Sequence, residues 1–171
     1  MTKKVIKVLA ICVSLFLLFN LTACTQVQTT DTQEDDKHEH DVQVGTCSSC
    51  GEFQNKDLVT KIEDELTKAD TELNLALGYM QNVYSYADAY SSIIESKDNI
   101  NNLSEYLNNA VALCGNYEEL NETKDAIESA IDKIPELPYN ASQTEIERYL
   151  DELELFVLSL ANAKIKILYV V

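Results

Sequence analysis

"VTKIEDELTKADTELNLALGYMQNVYSYADAYSSII", residues 59–94, decides the fold. Val59, Ile62, Leu66, Ala69, Leu73, Ala76, Met80, Val83, Ala87, Tyr90 and Ile94 follow one another at alternating spacings of three and four. Such positions share one face only on a helix, where successive side chains rotate by about 100°. Between them, as far as Asn74, stand Lys61, Glu63, Asp64, Glu65, Lys68, Asp70 and Glu72, a charged outer surface. The pattern predicts one continuous helix of roughly 50 Å carrying an a/d seam. Past Leu73 the stripe widens through Leu75, Leu77, Tyr79, Tyr84 and Tyr86, as expected where a helix meets two neighbours. The seam equally suits packing within the chain, a homodimer, or a coiled coil with another protein.

A break at "SKDN", residues 96–99, precedes a second stripe through Ile100, Leu103, Leu107, Ala110 and Cys114. Gly115 and Asn116 interrupt it, as a C-cap or kink. The period resumes at Leu120, Lys124, Ile127, Ile131 and Ile134, and Pro135 and Pro138 end it. Ser142 and Glu145, in capping-box spacing, open a last helix. Its stripe is Ile146, Leu150, Leu153, Val157, Leu160, Lys164 and Ile167, broadened by Tyr149, Leu155, Phe156 and Leu168. No stretch alternates with period two for long enough to make a strand, and "KIKILYVV", residues 164–171, is expected to fray from the last helix. The expected fold is therefore all-α over residues 56–171: an elongated antiparallel three-helix bundle, or four helices if Gly115 is a true break.

Residues 1–24 differ in kind. Lys3, Lys4 and Lys7 precede an apolar run over residues 8–19, too short to span a bilayer but suited to a secretory signal. The run ends in Leu21-Thr22-Ala23-Cys24, which resembles the bacterial lipobox. That resemblance implies a signal peptide over residues 1–23, cleavage before Cys24, and a diacylglyceryl group on the Cys24 sulfur. Two acyl chains suffice for stable anchoring where one is marginal. The expected location is extracytoplasmic, lipid-anchored to the bacterial cell membrane. Losing residues 1–23 removes three lysines and no acid, taking the formal charge from −16 to −19. Nucleic acid and anionic headgroups repel such a surface.

Residues 24–55 are polar, rich in Thr and Gln, and have no apolar period, so they read as a disordered, flexible tether. As a random coil it holds the domain roughly 30 Å from the lipid. Within it lies "HEHDVQVGTCSSCGE", residues 38–52. Cys47 and Cys50 have the spacing of a local disulfide, favoured in an oxidising exterior. Alternatively, their thiolates with His38 and His40 offer four ligands to zinc or copper. Catalytic redox chemistry does not fit, because no strand precedes the pair and the acidic neighbours would raise a thiol pKa.

A catalytic constellation is missing from the sequence. Both histidines precede the helical region, and there is neither a Gly-rich phosphate loop nor an H-E-x-x-H motif, so the chain is not expected to be an enzyme and needs no cofactor. Arg148 is expected on the surface beside Glu145 or Asp151, and Cys114 as a buried thiol. Tyr79, Tyr84, Tyr86 and Tyr90 either fill the bundle edge or form a recognition patch, since tyrosine buries its ring while its hydroxyl stays satisfied. The composite expectation is a lipid-anchored module that binds a protein partner at the envelope, with metal binding by the tether as the alternative.

Overall fold

The computed structural model describes residues 55–170, which are helical without strands. Helix α1 (Lys56–Gly78) starts where the Asn55 side chain accepts the Leu58 N–H at 3.1 Å, satisfying one of the donors left free at a helix start. Its seam is buried as expected through Val59, Ile62, Leu66, Ala69, Leu73 and Ala76.

The continuous helix to Ile94 is not what forms. Helix α1 stops at Gly78, residues 79–85 form a turn-rich link, and α2 (Tyr86–Glu95) begins afresh. The local chemistry accounts for the break. Gly78 is a poor helix former, and Asn82, Val83, Tyr84 and Ser85 add little helical preference. Ser85 then caps α2, its hydroxyl accepting the Asp88 N–H at 3.2 Å and donating to the Asp88 carboxylate at 2.7 Å. Met80 and Val83 remain in the core, but a link does not keep helical phase. Beyond it Ala89 and Ile93 are buried where the seam predicted Ala87, Tyr90 and Ile94, and Ile94 is 42% exposed.

Helix α3 (Lys97–Cys114) follows α2 after Ser96 alone and buries its whole expected stripe. It runs antiparallel to α1, since Asn99 donates to Glu72 at 2.7 Å and Asn109 to Glu65 at 3.1 Å. At Gly115 the chain adopts φ 55°, ψ −129°, a region open only to glycine, and the helix ends. A 3-10 turn (Glu118–Leu120) leads into α4 (Asn121–Ile131), and the proline-bearing loop, residues 132–142, leads into α5 (Gln143–Ile167). Successive packing of α1 on α3, α3 on α4, α4 on α5 and α5 back on α1 closes a ring of four helices. The break at Gly115 thus replaces the three-helix arrangement by the four-helix one, with α2 as a short extra helix against α3 and α5.

The capping box of α5 is a variant of the expected one. Ser142 Oγ accepts the Glu145 N–H at 3.3 Å, but Glu145 reaches back to the Asn140 N–H at 2.9 Å. Asn140 in turn accepts the Ser142 N–H at 2.7 Å. Tyr149 and Phe156 are the largest side chains that α5 buries fully. Leu155 and Leu168, expected in the stripe, are 54% and 63% exposed.

A Cβ placed on Gly115 would meet nothing closer than 3.9 Å, so a substitution there is opposed by backbone conformation and not by a clash. Gly115→Ala is expected to cost on the order of 1–3 kcal/mol in urea-unfolding free energy, with the m-value unchanged. A variant as stable as the parent would show that the turn is not fixed by its positive φ.

Candidate functional site

Residue 55 marks one end of the bundle, and the 79–85 link, α2 and the 132–142 loop gather at the other. The four tyrosines singled out in the sequence all lie at this far end, but in two different states. Tyr86 and Tyr90 are half-buried and bonded. The Tyr86 hydroxyl donates to Glu147 of α5 at 2.9 Å, and the Tyr90 hydroxyl donates to the Tyr139 carbonyl at 3.4 Å. They hold α2 against α5 and the loop. Tyr79, in the cap residue of α1, is 46% exposed, and Tyr84, in the link, is 76% exposed.

Tyr139 belongs to the same end and was not among the sequence candidates. It is 89% exposed, yet its backbone neighbourhood is pinned. The Tyr90 hydroxyl holds its carbonyl, and the next residue, Asn140, is bonded both to Glu145 and to Ser142. The signal for it was the turn "PELPYN", residues 135–140, where a large aromatic between a proline and an asparagine has no helical stripe to join. Three exposed phenols on a braced scaffold can bury area and donate hydrogen bonds with little loss of backbone freedom.

Beside this end a polar groove of about 400 Å³ is lined by Asp132, Lys133, Glu136, Arg148 and Glu152. Arg148 pairs with Glu152 at 2.7 Å, one turn on, while the Glu145 charge, one of the two partners the sequence suggested, also favours its charged form. A second groove, about 320 Å³, lies between α1 and the end of α5, with Asp64, Thr67 and Lys164 on its walls. Lys164 is engaged by Asp70 at 2.8 Å.

Cys114 is a free, buried thiol, and burial pushes its pKa up to about 11, which leaves it protonated and unreactive at neutral pH. Burial likewise raises the Tyr149 phenol to about 12, against the opposing pull of its hydrogen bond with Ser96. Among the described residues no three His, Cys, Asp or Glu gather as a metal site, and no helix is long and apolar enough to cross a membrane. The lipidation candidate Cys24, and His38, His40, Cys47 and Cys50 of the disulfide and metal readings, lie outside the described residues. No family model, no curated protein and no solved structure matches the chain.

Both raised pKa values imply a loss of stability in alkali. The neutral forms of Cys114 and Tyr149 are favoured by folding, so their contribution is complete below about pH 9 and is lost as pH rises through 11 and 12. Unfolding free energy should fall by on the order of 2–3 kcal/mol per group across that window. In Cys114→Ala the decline should begin near pH 10 instead of 9, as followed by urea midpoints at successive pH values. An unchanged onset would mean that the thiol is not desolvated.

Proposed function

We propose that the chain is a lipid-anchored module of the bacterial cell envelope, without enzymatic activity, that captures a protein partner with the far end of its bundle. One observation carries this reading: Tyr79, Tyr84 and Tyr139 are exposed on the end opposite residue 55, where the tether enters. A chain held by lipid on Cys24 would present that end away from the membrane. Helix α1 alone, at 23 residues, sets it off by about 35 Å. Tyrosine is enriched among the residues that dominate interface energetics, and pinning by Tyr86, Tyr90 and Asn140 limits the entropy lost on binding. The acidic balance, 29 carboxylates against 13 basic side chains, favours a partner with a basic rim and argues against nucleic acid.

The test is crosslinking in intact cells with tagged wild-type chain and a Tyr79→Ala, Tyr84→Ala, Tyr139→Ala variant. A specific protein recovered with the wild type should drop by about tenfold or more in the variant. Helicity and thermal midpoint should not change, because none of the three side chains is buried. Cys24→Ser should lose incorporation of a palmitate analogue. Equal recovery with and without the tyrosines would overturn the assignment of the surface, and acyl labelling that survives in Cys24→Ser would overturn the anchor.

A further inference from the structure

Helix α5 is apolar on two opposite faces. Its core face runs through Ile146, Leu153, Phe156, Leu160 and Ile167, all at most 2% exposed. Half a turn round the helix, at about 100° per residue, runs a second strip: Leu155, Leu158, Asn162 and Ile165, with Tyr169 at the next spacing of four in the turn that follows α5. These too alternate spacings of three and four. Leu155, Leu158, Ile165 and Tyr169 are 54%, 50%, 42% and 81% exposed, and Asn162 is exposed between them. A surface helix ordinarily turns a polar face to water. The strip ends upward at Arg148 and Asp151, the next positions in the same alternation.

We infer that this strip is a homodimer seam, pairing α5 in parallel with α5 of a second copy. Asn162 identifies the occupant. In heptad terms Leu155 and Asn162 take a positions and Leu158 and Ile165 take d positions, and Tyr169 follows in the turn after the helix. A single a-position asparagine opposite an apolar partner leaves its amide unpaired in a dry interface, whereas a second copy in parallel register places an amide at the same level. Charge points the same way. Between Leu155 and Ile165 the flanking pairs across a parallel seam are Glu154 with Ser159 and Ala161 with Lys166, so no two carboxylates face each other within the strip; Asp151, one position above, would meet its own copy and ends the seam there. Covering the strip and its flanks would bury on the order of 500 Å² per chain, the range of weak interfaces. Parallel pairing also leaves both residue-55 ends on one side. In that single respect the orientation draws on the anchoring proposed above, and the solution test does not.

All the clustered core residues lie between Val59 and Ile167, so a soluble chain of residues 25–171 retains the whole core. Its sedimentation should change from monomer to dimer as concentration rises to about 500 µM. Leu158→Glu should remain monomeric with unchanged helicity. Asn162→Asp and Asn162→Lys should each weaken self-association at least tenfold, and an equimolar mixture of the two should recover it. A wild-type chain that stays monomeric throughout overturns the inference, as does a dimer indifferent to Leu158→Glu or a mixture that fails to recover. Dimers that form from residues 25–171 but not from 55–171 would assign the contact to the tether and overturn it too.

Discussion

A buried phenol must have a hydrogen-bond partner, and the far end of the bundle is organised around that requirement at Tyr149. This side chain is 1% exposed, and its hydroxyl bonds with Ser96, itself 2% exposed. An unpaired hydroxyl there would cost about 1–3 kcal/mol, so the pairing fixes Ser96 over α5. Ser96 is the one residue between α2 and α3, and its own hydroxyl donates to the Ile93 carbonyl at 2.8 Å. That bond occupies a carbonyl at the end of α2, where partners within the helix run out. With the α2–α3 junction set against α5, Tyr86 and Tyr90 reach Glu147 and the Tyr139 carbonyl, and the loop that bears Tyr139 is held in turn.

The molecule meets a shortage of cations with amides. Cross-helix ion pairs join Lys164 to Asp70 and Lys166 to Glu122, but α1 and α3 are registered by Asn99 and Asn109 donating to carboxylates. A neutral amide gives up less hydration than an ammonium and still forms a charge-assisted bond. An acidic chain can thereby keep its solubility and yet fix the relative heights of its helices.

Where a stripe is confined to an unbroken helix, the sequence was legible almost residue by residue. Val59 to Ala76 in α1 and Ile100 to Cys114 in α3 are buried as their spacing required. The link between α1 and α2 was not legible, because Met80 and Val83 satisfy the seam whether or not the intervening backbone is helical. Only Gly78 and the weak helical preference of "NVYS", residues 82–85, argued otherwise, and propensity alone does not outweigh periodicity. Gly115 was legible as a break but not as the corner that makes four helices, since a positive φ leaves no trace beyond the glycine itself. The tyrosines were recognisable as a group. Their division into bonded braces and exposed rings depended on Glu147 and Tyr139, 61 and 49 residues away in sequence.

Leu155 shows how one residue can satisfy the period and still belong elsewhere. Its position was counted with the core stripe as broadening, yet the structure turns it outward with Leu158 and Ile165. A helix with one buried face needs an apolar arc of little more than 100°, and α5 carries two such arcs separated by polar flanks. The first is consumed by α1, α2 and α4. The second is left partly exposed, and its spacing is that of a two-stranded seam. Such a seam would set two tyrosine-bearing ends side by side, with both residue-55 ends at the opposite side. If each copy carries the lipid proposed on Cys24, a weak solution affinity would suffice, because confinement to one membrane would raise the effective concentration of each copy for the other. The same geometry would convert two modest contacts with a repeated partner into one avid attachment, which is the physical use of a dimer built from a short seam.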